Sequence, residues 1–176
     1  QFALGYSVAD EFDVPTGGWQ IDTITFFAYQ TGSTTTSTIT GVYVQIWDGP
    51  PDAGGSIVWG DLSTNLLASS QWSNIYRAVD YDPTNTQRPI MANVATIGTT
   101  LAPGTYWVQW STDGSLSSGP WAPPISILGQ IITGNAKQFT TGWADLLDSG
   151  TATAQGLPFI IDGQMVPVEL QSFSIE

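Results

Sequence analysis

Carboxylates dominate the side chains of this sequence that could carry chemistry. The chain has fifteen acidic residues, three basic ones, no histidine and no cysteine. Without histidine or cysteine the usual nucleophile and base arrangements are excluded, which leaves paired carboxylates of the glycosidase type. The candidate aspartates all lie in turn-like sequence, where aspartate is expected for local hydrogen bonding. We therefore expect no catalytic residues and no enzymatic activity. The aspartates concerned are Asp48, Asp52, Asp61, Asp80, Asp82, Asp145 and Asp148.

Two small acidic clusters offer a possible metal site. One contains Asp10 and Asp13, and the other contains Asp80 and Asp82. Calcium takes several oxygen ligands, often from flexible loops, but the spacing here is not that of an EF-hand. The alternatives are a structural Ca²⁺ ion and simple solvated turns. No other cofactor is expected.

Tryptophan is the other residue type that suggests a function, because exposed rings can stack on sugars. The chain has eight tryptophans. Those inside strand-like sequence, Trp47, Trp107 and Trp110, are expected in the core, where burying a large side chain is strongly stabilising. Those near turn residues are candidate glycan contacts, and the chosen set is Trp121, Trp72 and Trp143. Trp121 is the first choice, although stacking on its neighbouring prolines would also explain it.

Both ends of the chain are strand-like. Phe2, Leu4, Tyr6 and Val8 alternate with small or polar residues, which predicts that residues 1–8 form a strand with these side chains on one face. Such a strand pairs either with its own sheet or with another subunit, which would build a polymer by strand addition. Residues 166–175 suggest a second strand with the same two alternatives.

The absence of cysteine and of an evident active site favours assembly. The first functional prediction is a non-enzymatic extracellular subunit of a fibre, pilus-like filament or matrix, with further copies of itself as the partner. The alternative is a secreted carbohydrate-binding or adhesion module with a polysaccharide as its partner. A polymer would sediment as large particles, whereas a binding module would stay monomeric.

Strand-like segments bounded by turn residues recur along the whole chain. They are rich in β-branched and aromatic residues, and Gly, Pro, Asn and Asp separate them. This pattern predicts one domain over residues 1–176, an all-β, two-sheet antiparallel sandwich that is jelly-roll-like. A single helical turn is a weaker prediction within residues 61–73. The predicted internal strands are 21–29, 38–47, 56–59, 90–97, 105–110, 125–132 and 157–161.

The charge balance limits the partners. A net charge of −12 repels the phosphates of nucleic acids and anionic lipid surfaces. No apolar run approaches the roughly 20 residues that a membrane-spanning helix needs. Only 10% of the residues are charged, so hydroxyl groups supply much of the polar surface. Together with the start at Gln1, this predicts the mature form of a secreted, extracellular protein with no nucleic-acid partner and no membrane insertion.

Six motifs occur together in the middle of the chain, with 12–30 before them and 156–159 after: VQIWDGPP (44–51), VWGDLSTN (58–65), WSNIYR (72–77), RPIM (88–91), PGTYW (103–107) and GPWAPP (119–124). Together they resemble a family of secreted bacterial β-sandwich proteins of unassigned function. The resemblance implies export and a location at the bacterial surface or in a matrix, and it supplies no catalytic residues. The end of the chain, VPVELQSF (166–173), is also similar to segments near the C-termini of exported bacterial proteins.

Overall fold

The computed structural model describes residues 1–78 and 81–166, and these form ten β-strands. Within these residues no helix has the length and apolar character that crossing a membrane requires. The prediction of an all-β protein is confirmed. The strands are β1 (Ser7–Val14), β2 (Trp19–Ala28), β3 (Ile39–Trp47), β4 (Ile57–Asp61), β5 (Leu67–Tyr76), β6 (Pro89–Leu101), β7 (Gly104–Gly114), β8 (Lys137–Phe139), β9 (Trp143–Asp145) and β10 (Phe159–Met165).

The strands form two antiparallel sheets packed face to face. One sheet has six strands in the order β4-β3-β7-β1-β8-β9, and the other has four in the order β10-β2-β6-β5. The chain passes from one sheet to the other five times: between β1 and β2, β2 and β3, β4 and β5, β6 and β7, and β9 and β10. Such repeated crossing is typical of sandwiches of the Greek-key and jelly-roll kind. The predicted two-sheet antiparallel sandwich is confirmed.

The core lies between the sheets and follows the alternation of side chains along each strand. Val108 and Trp110 on β7 face inward from the larger sheet, and Phe26 on β2 faces them from the smaller one. The rings of Phe26 and Trp110 stack with their centroids 4.8 Å apart. Trp110 is therefore a core residue, as the sequence predicted.

The predicted strand over residues 1–8 is wrong for its first six residues. Residues Phe2–Leu4 form a turn of 3₁₀ helix that ends at Gly5, whose φ of 71° lies in the left-handed region that glycine adopts without strain. The side chains of Leu4 and Tyr6 are exposed to solvent, whereas that of Val8 packs against the core. Strand β1 starts at Ser7, and it pairs with β7 on one side and β8 on the other. Residues 1–8 thus do not form a free donor strand.

Three other segments differ from the predictions or lie outside the described residues. Residues 125–132, predicted as a strand, belong to no strand and expose most of their apolar side chains, with a turn at Gly129. The expected helical turn within 61–73 is absent there, because strand β5 starts at Leu67. Of the predicted terminal strand 166–175, only Val166 is described, and it donates its backbone N–H to the carbonyl of Gly18.

Candidate functional site

The outward side of the six-stranded sheet carries aligned rows of polar and aromatic side chains. Cross-strand pairing aligns one residue from each of five neighbouring strands in a single row. In order across the sheet they are Gln45, Gln109, Ala9, Lys137 and Asp145. Because side chains alternate between faces, the residues two positions along each strand form parallel rows on the same side. One such row includes Tyr43, Ser7, Phe139 and Trp143, and the other includes Trp47, Trp107 and Glu11.

This side of the sheet is concave. Trp47 lies on β3 and Trp143 on β9, which are four strand-to-strand steps apart in the sheet. At about 4.8 Å per step, a flat sheet would separate their backbones by about 19 Å. Their rings nevertheless meet edge to face with centroids 6.4 Å apart. The sheet therefore bends toward this side, which we call the concave face.

A buried network of hydrogen bonds fixes the centre of the concave face. The carbonyl oxygen of the Gln109 side chain accepts from Nε2 of Gln45 at 2.6 Å and from Nε1 of Trp47 at 2.9 Å. The amide nitrogen of Gln109 donates to Oγ of Ser7 at 2.7 Å. Gln45, Gln109 and Ser7 are all buried. The orientation of Trp47 is thereby set by the chain itself.

Half-buried aromatic rings surround this network. Trp143 contacts both Trp47 and Phe139, the latter with ring centroids 5.4 Å apart. Phe2, from the 3₁₀ turn, stacks on Tyr43 with the two ring centroids 3.6 Å apart. Burial, with the Asp113 carboxylate nearby, raises the pKa of Tyr43, so its hydroxyl keeps its proton at neutral pH. The rings present flat apolar surfaces beside groups that can form hydrogen bonds.

An open cavity of about 340 Å³ lies next to Trp107, which is the cross-strand neighbour of Trp47. Lys137, the single lysine of the chain, extends into its wall and binds Asp52 at 2.7 Å and Asp145 at 2.6 Å. These two hydrogen bonds raise the pKa of Lys137. Asp52 belongs to the loop between β3 and β4, so the ion pairs tie that loop to β8. The lining residues are Pro50, Asp52, Ala53, Trp107, Asn135, Ala136, Lys137, Asp145 and Ala154.

The structure does not bring the three predicted glycan contacts together. Trp143 lies on the concave face, as described above. Trp72 lies on β5 of the other sheet, where it packs against a small buried cluster and against Tyr76. Trp121 is half-exposed on a loop and forms an isolated bridge with Tyr29. The prediction that Trp47 lies in the core is wrong, because its ring is half-buried on the concave face. Phe139 was not predicted as a contact at all, since only the cross-strand pairing and the bend of the sheet bring these two rings to Trp143.

The predicted calcium ligands do not converge either. Asp10 lies opposite the buried Val108 and points inward, whereas Asp13 lies opposite Thr105 on the other face and accepts a hydrogen bond from its hydroxyl. Two carboxylates on opposite faces of one strand cannot share an ion. Asp82 accepts hydrogen bonds from Thr84 and Asn85. Asp80 lies outside the described residues, among which no group of three potential acidic, histidine or cysteine ligands occurs.

Several other carboxylates hold turns, as the sequence predicted. Asp61 accepts hydrogen bonds from Ser63 and Thr64, which lower its pKa to about 2. Asp148 accepts from Gly150 and Thr151, and its pKa is also lowered. These side chains are engaged with their own loops rather than aimed at a cavity.

Asp10 is a buried carboxyl whose titration should affect the stability of the protein. Its two oxygens accept the backbone N–H groups of Leu157 and Glu11. Burial nevertheless raises the pKa of Asp10 above its usual 3.8. The folded protein thus holds this proton more tightly than the unfolded chain. The carboxyl therefore contributes most to stability below pH 3.8 and less as the pH rises through its folded pKa.

We expect the free energy of unfolding of the wild type, minus that of Asp10→Asn, to fall as the pH rises from about 3 to about 7, because asparagine does not titrate. Denaturant titrations of both proteins at a series of pH values measure this difference. The other carboxylates are common to both proteins, so their contributions cancel in the subtraction. A difference that instead grows with pH would mean that the two N–H donors outweigh burial.

Comparisons with family models, with curated proteins and with solved structures each found no match to this chain. The resemblance to secreted bacterial β-sandwich proteins therefore stays a prediction. What the chain does has to be inferred from the concave face and from the rest of the described surface.

Proposed function

We propose that the chain is a non-enzymatic module that binds a neutral polysaccharide on its concave face. The observation that carries this proposal is the cluster of Trp47, Phe139 and Trp143 on one bent sheet, with an open cavity at Trp107, the cross-strand neighbour of Trp47. Concave sites that combine aromatic walls with a few placed polar groups are the usual form of small-ligand sites in proteins. Rings of this kind match the apolar faces of sugars. The buried amides of Gln45 and Gln109 serve to fix the ring of Trp47 in place.

The charges on the concave face favour a ligand without negative charge. Three carboxylates, of Glu11, Asp52 and Asp145, lie on or beside this face, and its cation Lys137 is already bound by the two aspartates. The whole chain carries a net charge of −12. An acidic or sulfated sugar chain would meet repulsion here, whereas a neutral chain would not. The hydroxyl-rich composition suits the secreted, extracellular location that this function requires.

The same ion pairs support binding rather than hydrolysis. A glycosidase needs one carboxylic acid free to give a proton and a second carboxylate free to act as base or nucleophile. Asp52 and Asp145 are the two carboxylates of the cavity wall, and both bind the ammonium group of Lys137. Their evident role is to hold the loop after β3 against strand β8.

Calorimetric titration with a soluble β-glucan, mannan and xylan tests the proposal. We expect binding of at least one of them, and Trp143→Ala should weaken that binding about tenfold or more, as for a central aromatic contact. Trp72→Ala, on the other sheet, is the matched control and should leave affinity unchanged. Bound sugar should be recovered intact.

Two results would count against the proposal. One is the absence of binding to all three neutral polysaccharides by a folded protein. The other is binding that Trp72→Ala weakens as much as Trp143→Ala does, which would place the site elsewhere.

A second candidate function is a self-assembling structural subunit joined by strand addition. It is favoured by β10, an edge strand of the smaller sheet that exposes Ile160 and Met165 and, within residues 1–78 and 81–166, pairs with β2 alone. The sequence predicts a strand at residues 166–175, which follow directly and would supply the strand that a neighbour receives. If so, native protein should sediment as large particles, and deletion of residues 167–176 should leave a folded monomer. Unchanged sedimentation after the deletion would exclude this route.

A further inference from the structure

A second cavity, of about 150 Å³, lies at the end of the sandwich where strand β1 begins and strand β8 ends. We call it the end pocket. It reaches inward to Trp110 of the core, and it opens to solvent beside Tyr6, Trp121 and Thr140, which are exposed. None of the described side chains that line it is charged. The end pocket is therefore a neutral cleft between the core and the surface.

Two polar side chains enter the end pocket from the inward face of the larger sheet. Thr112 lies opposite the core residue Val42, and Gln138 lies opposite Val8, which packs against the core. Thr112 is only 6% exposed, yet within residues 1–78 and 81–166 neither its hydroxyl nor the Gln138 amide has a hydrogen-bond partner. In the same residues, the side-chain polar atom that is both sealed from solvent and unpartnered is the Thr38 hydroxyl. The two groups are thus open to the pocket, where an occupant has to satisfy them.

The half-exposed ring of Trp121 forms an aromatic wall at the mouth of the end pocket. Its backbone exchanges two hydrogen bonds with that of Tyr29, at 2.9 and 3.0 Å. The ring lies close against Gly119, since a Cβ added at that glycine would be 2.8 Å from Cδ1 of Trp121. The wall is therefore held in place before anything binds, so little conformational freedom would be lost on binding.

The lining and the size of the end pocket select a class of ligand. A lining without charged side chains offers no partner to an ion or a zwitterion, whose charges would lose their hydration. A hydrocarbon would leave the hydroxyl of Thr112 and the amide of Gln138 unpaired. A volume of about 150 Å³ has room for about five waters at about 30 Å³ each, well below the roughly 300–1,000 Å³ of drug-sized sites. A single sugar ring is small and neutral, and it has both apolar faces and hydroxyl groups.

We propose that the end pocket binds one neutral sugar residue, with its ring beside Trp121 and its hydroxyls paired with Thr112 and Gln138. This second site does not depend on the polysaccharide contact proposed for the concave face, although Phe139 borders both. Because the pocket holds a single ring, it takes a free monosaccharide or the end of a chain rather than the interior of one.

NMR titration of the full chain with glucose, galactose, mannose and xylose tests this proposal through the indole N–H signals. We expect at least one sugar to shift the Trp121 signal, with a dissociation constant in the millimolar range that suits so few ligand atoms. Gln138→Leu should raise that constant about tenfold or more. It should not lower the free energy of unfolding, because the Gln138 amide has no partner to lose within the described residues.

The methyl glycoside of the bound sugar separates the two sources. Equal binding of the glycoside identifies the end of a chain as the ligand, and loss of binding identifies the free monosaccharide. Gln20→Leu makes the same change at an exposed glutamine outside the pocket, so this matched control should leave sugar affinity unchanged.

The proposal is overturned if no sugar shifts the Trp121 signal, because the end pocket would then hold water only. It is also overturned if Gln138→Leu leaves sugar affinity unchanged, or if this variant is clearly less stable, which would give the amide a structural role. The concave face is tested separately, with polysaccharides and Trp143→Ala, so the failure of one proposal can be told from the failure of the other.

Discussion

Replacing Gln109 with leucine should lower the free energy of unfolding by about 3 kcal/mol or more, although leucine is apolar and similar in size. The change leaves Nε2 of Gln45, Nε1 of Trp47 and Oγ of Ser7 without the partners that Gln109 supplies. Each buried polar group that loses its partner costs about 1–3 kcal/mol. Denaturant titration of the variant and the wild type measures the loss.

The matched control is Gln20→Leu, because Gln20 is an exposed glutamine on a strand with a single weak side-chain contact, to Asp22. Its effect should stay within about 0.5 kcal/mol. Equal effects at the two positions would show that the network does not stabilise the concave face. Gln109→Leu should also weaken sugar binding, since it releases Trp47 from its fixed orientation.

Replacing Phe26 with alanine should cost about 3–5 kcal/mol, which for a domain of this size is a large part of the total stability. Phe26 is fully buried between the sheets and stacks on Trp110. Removing its ring takes away apolar burial and leaves a cavity where the two sheets meet. The midpoint of urea denaturation should fall accordingly.

The neighbouring residue gives a close control. Phe27 points to the opposite face of β2 and is only half-buried, so Phe27→Ala removes the same atoms from the same strand with a smaller cost. If Phe27→Ala proved as damaging as Phe26→Ala, the outward side of the smaller sheet would have to be covered by another surface, such as a second copy.

Much of the fold could be predicted because alternation within a strand is a local property. The turn residues and β-branched runs located β2, β3, β4, β6, β7 and β10 to within a few residues. The same rule was wrong at residues 125–132, where an apolar run looks the same whether or not a neighbouring strand pairs with it. It was wrong again at residues 1–6, where Gly5 allows a 3₁₀ turn that the alternation of Phe2 and Leu4 does not reveal.

The candidate site was harder to predict, because it depends on contacts between residues far apart in the chain. Trp47 and Trp143 are 96 positions apart, and their meeting requires both the strand order and the bend of the sheet. The strand-like surroundings of Trp47 correctly indicated β3 but not which face of the sheet the ring occupies. Trp143 was identified from its turn-like surroundings, without any indication of its neighbours.

The ion pairs of Lys137 also bear on resistance to trypsin-like proteases. A trypsin-like protease must take a basic side chain into its own pocket, and Lys137 is already engaged by Asp52 and Asp145. Arg88 is followed by proline, which leaves Arg77 as the other usable position of the chain. Cleavage at Lys137 therefore has to wait until strand β8 opens locally. A surface that is poor in basic residues, and whose single lysine is held between two carboxylates, therefore resists cleavage by trypsin-like proteases.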